Sequence, residues 1–96
     1  MVHYILKDKE IIEANLMDWA LWFETADRHV AKDEVGEVRI STVFLGLDHS
    51  FLGGSPLFFE TMVFGGKLDQ EMERYSTWQE AEAGHEAMKQ RVLESV

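Results

Sequence analysis

Apolar side chains alternate with polar ones from Val38 to Leu45 and return between Leu57 and Phe64, which marks two β-strands. In the first run Val38, Ile40, Thr42 and Phe44 share one face, and Arg39, Ser41, Val43 and Leu45 share the other. In the second, Leu57, Phe59, Thr61 and Val63 alternate with Phe58, Glu60, Met62 and Phe64. The stretch Ser41 to Gly66 therefore reads as a core hairpin, with a long loop from Gly46 to Pro56 between its arms. Glu60 is the odd residue in it. A carboxylate among that many aromatics must reach an edge, find a partner or shift its pKa upward.

Around this hairpin the other elements follow from period and punctuation. His3 to Leu6 and Ile11 to Glu13 flank the charged turn Lys7-Asp8-Lys9-Glu10. Asn15 is placed to cap a helix from about Leu16 to Asp27, with Asp18 near its positive end. On a 3.6-residue period Leu16, Trp19, Ala20, Phe23 and Ala26 form the expected core stripe. Met17 and Leu21 make a second apolar stripe, and Trp22 borders the first. One helix on one sheet needs one stripe, so the second predicts either unusually deep burial or a subunit contact. Met17, Leu21 and Trp22 are the interface candidates for a homo-oligomer, and the plainer reading of Trp22 is packing at the core boundary.

Arg28 to Lys32 is extended, Asp33 to Gly36 is turn chemistry and Glu37 opens the next strand. Past Gly65-Gly66, a polar turn at Lys67 to Gln70 leads into a last strand, Glu71 to Tyr75. Ser76 and Gln79 fit a capping box, so the second helix should start at Thr77 and run to about Glu94. Ala81, Gly84, Ala87 or Met88, and Val92 give its buried side, with His85 adjoining. Glycine there costs about 1 kcal/mol against alanine, which predicts close backbone approach to the sheet. The predicted fold is α+β in the order ββαββββα: an antiparallel sheet of about four to six strands, two helices packed on one face, one domain over residues 1–96.

Composition narrows the function classes. Eighteen acidic against nine basic residues give a net charge of -9, which repels duplex DNA and anionic membranes alike. With no cysteine there is neither a disulfide framework nor a thiolate zinc site. The N-terminus turns polar too early for a signal peptide, and no 18-residue apolar run occurs, so a soluble intracellular protein is expected.

Candidate chemistry rests on Arg28, Arg39, Asp48, His49 and Glu60, with His29 and Ser41 nearby in the pattern. Asp, His and Glu are ligand types for a divalent metal, and His-Asp pairs serve acid-base catalysis, yet none of these has diagnostic spacing. The plainer reading has Asp48 capping backbone amides and His49 packing on Phe51. Basic residues on an inward or pocket-lining face of so acidic a chain need an anionic partner. Glu60 can supply it from within, and a phosphate or nucleotide can supply it from outside. No catalytic residue, metal or cofactor is assigned.

The blocks VRISTVFLGLDHSF, SPLFFETMVFGG and ERYSTWQEAEAGHEAM resemble a group of small proteins encoded by phages and prophages. That resemblance implies a viral accessory protein in the cytoplasm of a bacterial host. It points to inhibition of host antiviral defence, by binding a defence protein or by sequestering a nucleotide signal. The alternatives are a small metal-dependent hydrolase using Asp48, His49 and Glu60, and a virion structural or assembly protein.

Overall fold

A computed structural model of the chain describes residues 2–50 and 53–96. Its elements are β1 (His3–Lys7), β2 (Glu10–Ala14), α1 (Leu16–Thr25), β3 (His29–Val35), β4 (Val38–Phe44), β5 (Phe59–Phe64), β6 (Met72–Tyr75) and α2 (Trp78–Ser95). The fold is α+β and the order is ββαββββα, as the sequence predicts. The strands divide into two antiparallel sheets. β1 pairs with β2, and β3-β4-β5-β6 form a four-stranded meander.

Alternation sets the two faces of the meander. Val38, Ile40, Thr42 and Phe44 of β4 and Phe59, Thr61 and Val63 of β5 are buried on the inner face, where α2 lies. Helix α2 buries Ala81, His85, Met88 and Val92 against them, four residues at helical spacing. Met88 and Val92 pack with Val38, Ile40 and Val63 at one end of the sheet. At the other end Ala81 joins Phe44, Phe58 and Phe59. The β1-β2 hairpin covers this aromatic end. Tyr4 meets Phe58 edge-on at 4.6 Å, and the Tyr4 amide donates to the Gly46 carbonyl at 2.9 Å.

Helix α1 packs on β1 rather than across the meander. Its inner side is Trp19, Trp22, Phe23 and Ala26, all half-buried, with Trp22 edge-on to Phe44 at 5.8 Å. This corrects the expected core stripe: Leu16 and Ala20 face solvent. Both sides of the helix are apolar, and the side with the large aromatic rings goes in because it removes more area from water. Trp22 accordingly packs half-buried against the aromatic end of the core.

Two of the boundaries that differ from expectation bear on the site and on α2. Asp33 and Glu34 continue β3, and only Gly36 and Glu37 form the turn, with Gly36 at φ +60 and Val35 paired to Val38. The N-cap of α2 is Thr77, one residue beyond the expected Ser76: its Oγ1 accepts from the Glu80 amide at 3.1 Å and donates to Glu80 Oε1 at 3.1 Å. Thr77→Ala should therefore cost about 1 kcal/mol and Ser76→Ala less than about 0.5 kcal/mol. Urea denaturation of the two variants decides it, and the reverse ranking would return the cap to Ser76.

Candidate functional site

Among the described residues no helix lies on the outer face of the meander, and its side chains fall in rows set by the strand register. Glu34, Arg39 and Phe64 form one row; Lys32, Ser41, Met62 and Met72 the next; His29, Val43, Glu60 and Arg74 the third. A hollow of about 680 Å³ opens here, lined by His29, Lys32, Arg39, Ser41 and Phe64 with the acidic Asp33 and Glu34 at its β3 side. It brings charged and aromatic side chains together on one face.

Charge pairing on this face is uneven. Glu60 bonds Arg74 Nε at 3.0 Å, and both groups are largely covered. The internal partner expected for Arg28 or Arg39 is thus taken by Arg74, the residue directly across the strand pair. His29 Nδ1 lies 3.0 Å from Asp27 Oδ1, and the His29 amide donates to the same oxygen. Those bonds hold the Asp27 carboxyl below its usual range, the backbone bond contributing most. Lys32 and Arg39 make no ion pair with any described residue. The Arg39 guanidinium lies 4.6 Å from the Phe64 ring centroid instead.

The remaining predicted residues have structural employment elsewhere. Arg28 Nη1 donates to the Phe44 carbonyl at 2.8 Å and its guanidinium sits 4.1 Å from the Phe23 ring, clasping the end of α1 to β4. Asp48 Oδ1 accepts from the Leu57 amide at 2.9 Å and the Ser50 amide at 2.8 Å, and these bonds hold its carboxyl below the usual range. The His49 amide donates to the Leu57 carbonyl at 2.9 Å. Asp48 therefore closes the loop as an amide cap. Phe51, the expected packing partner of His49, lies outside the described residues. Among the described residues no three His, Asp or Glu side chains converge as a metal-ligand set, so Asp48, His49 and Glu60 do not form one there. Of the five predicted ligand-binding residues, the hollow takes in Arg39 alone, and Glu60 stands two rows away on the same face.

Behind the hollow runs a polar chain that sequence reading missed. Thr61 and Thr42 hydroxyls lie 2.5 Å apart, Thr42 Oγ1 is 2.7 Å from His85 Nδ1, and His85 Nε2 is 2.8 Å from Asp33 Oδ2. Lys89 Nζ adds an ion pair to Asp33 Oδ1 at 3.3 Å. Thr42 and Thr61 are fully buried and His85 is 1% exposed. A neutral ring protonated at Nε2 lets every donor point forward, from Thr61 to Thr42, from Thr42 to Nδ1 and from Nε2–H to the carboxylate. The hydroxyl-His-Asp order is that of a nucleophilic triad, but its hydroxyls have no path to a substrate. It fastens α2 to β3, β4 and β5. The His85 hydrogen bond, aided by Lys89, holds the Asp33 carboxyl below its usual range.

The visible signal for this chain was spacing: His85 and Lys89 are one helical turn apart, and both reach Asp33. No helix of the described residues is long and apolar enough to cross a membrane. No family model matches the chain, and neither does any curated protein or solved structure.

Proposed function

We propose that the chain is a phage accessory protein that acts by binding, and that its ligand is a nucleotide signal of host antiviral defence, taken on the outer face of the meander. One observation carries the reading: Lys32 and Arg39 lie diagonally across β3 and β4 in neighbouring rows of the outer face, and neither makes an ion pair with any described residue, although Glu34 stands directly across from Arg39. In a chain of net charge -9, cations without an internal partner are poised for an external anion. Arg39 presents a planar fork that suits a phosphate, Lys32 adds a point charge, and Phe64, 40% exposed, offers a ring for a base to stack on. The hollow's volume lies within the range of about 300–1,000 Å³ usual for small-molecule sites. The blocks that resemble phage proteins include Arg39, Ser41 and Phe64, which supports the same reading.

Titration calorimetry with a panel of linear and cyclic nucleotides tests this, with native mass spectrometry to detect a ligand retained from the host cell. At least one phosphorylated nucleotide should bind, and Arg39→Ala should weaken it about tenfold or more, the loss expected for a charge-assisted contact. Nucleosides without phosphate should bind far more weakly. If no nucleotide binds below millimolar concentration, or Arg39→Ala binds as the wild type does, the proposal falls.

A further inference from the structure

Helix α1 leaves apolar area uncovered on the side away from the core. Leu16 is 63% exposed, Met17 68% and Leu21 61%, and Ala20 between them is exposed as well. Leu16 with Ala20 and Met17 with Leu21 are pairs one turn apart, so the four make one continuous strip. Covering a leucine or methionine is worth about 1.5–3 kcal/mol, which folding of the single chain does not collect here. The inner side of α1 is already filled by Trp19, Trp22 and Phe23, so the strip has no intramolecular use.

Charge around the strip is one-sided. Helix α1, Leu16–Thr25, carries Asp18 and Glu24 and no lysine or arginine. Both carboxylates are exposed. A two-fold contact between two copies of α1 would set this acidic rim against itself, because an isologous interface meets its own patch. Like charges juxtaposed at an interface oppose association. The expected homo-oligomer is therefore disfavoured at this face, and the complementary surface is an apolar groove with a basic rim.

We infer that α1 is a docking helix, which seats Leu16, Met17 and Leu21 in an apolar groove of another protein whose rim carries Lys and Arg. This is helix-in-groove recognition with the anchors on adjoining turns. Apolar anchors give the contact its strength, and the acidic rim speeds encounter and selects the partner. The surface is separate from the hollow on the meander, and its use does not depend on what the hollow binds.

The test is site-specific photocrosslinking in a bacterial cell, with benzoylphenylalanine at Met17 or Leu21 and, as control, at Glu82 on the exposed side of α2. Positions 17 and 21 should trap the same partner and position 82 should not. The trapped protein, identified by mass spectrometry and purified, should then bind the full chain with an affinity that falls at least about tenfold between 50 and 500 mM salt. Leu21→Asp should weaken it about tenfold or more, and Glu24→Lys should weaken it severalfold, while thermal unfolding of both variants stays near that of the wild type. A crosslink to a second copy of the chain, no crosslink at all, or a partner whose binding ignores salt and Glu24→Lys overturns the inference.

Discussion

Replacing His85 by alanine should lower the unfolding free energy by about 3 kcal/mol, read from urea denaturation at neutral pH. Two costs add. The ring is 1% exposed, so its loss leaves a cavity between α2 and the meander. It also strips the hydrogen bond from the buried Thr42 hydroxyl and from Asp33 Oδ2. A loss below about 1 kcal/mol would mean that the chain of bonds does not fasten the helix.

The same chain predicts an acid limb. Asp33 is held below its ordinary pKa of 3.8 by its hydrogen bond from His85 and by Lys89. A carboxyl with a lowered folded pKa contributes stability that is fully present above its unfolded value and is lost as pH falls through the folded one. Stability should therefore fall as pH drops below about 4, and Asp33→Asn should flatten that part of the profile while leaving its shape above pH 5 unchanged. An acid limb as steep in Asp33→Asn as in the wild type would assign it to other carboxylates.

What could be read in the sequence was what depends on neighbours along the chain. The alternation from Val38 to Phe44 gave the inner face of β4 correctly because a buried strand face permits no slip by one residue. The β1-β2 hairpin was legible from its charged two-residue turn, in which Asp8 and Lys9 both take positive φ. Asp33 failed for the opposite reason. Lys32-Asp33-Glu34 before a glycine has the composition of a turn, yet Asp33 pairs with Ile40 of β4 in the strand ladder, and its carboxylate is held by His85, 52 residues away. The α2 cap was undecidable locally, since Ser76 with Gln79 and Thr77 with Glu80 fit the same pattern. Structure chooses Thr77 because β6 keeps the chain extended through Tyr75, whose carbonyl accepts from the Phe58 amide at 2.9 Å.

The candidate site divides in the same way. Arg39 and Ser41 could be placed together on one face by counting residues within a strand. Lys32 and Phe64 join them only through pairing of β3 and β5 to β4, which requires the register. The sequence shows that Glu60 needs a partner, and Arg74 supplies it from a strand whose existence, but not its alignment, follows from local pattern.

Gly84→Val should cost about 3 kcal/mol, the upper end of the usual range for overpacking a filled interior. Gly84 sits on the side of α2 that meets β6, and a Cβ built there would penetrate the Tyr75 ring. The ring has little freedom to withdraw. Tyr75 packs on the cluster of Phe44, Phe58, Phe59 and Ala81, and its hydroxyl is buried without a hydrogen-bond partner of good geometry. That burial raises the phenol above its ordinary pKa. Helix propensity alone predicts the other sign, since valine is the better helix former of the two by a few tenths of a kcal/mol. The direction of the change thus separates the explanations before its size is considered. In a Tyr75→Ala background, where the obstructing ring is gone, Gly84→Val should lose more than half of its cost, and the double-mutant cycle should show coupling of about 1.5 kcal/mol or more. Equal costs in the two backgrounds would show that the glycine serves something other than close approach of α2 to the Tyr75 ring.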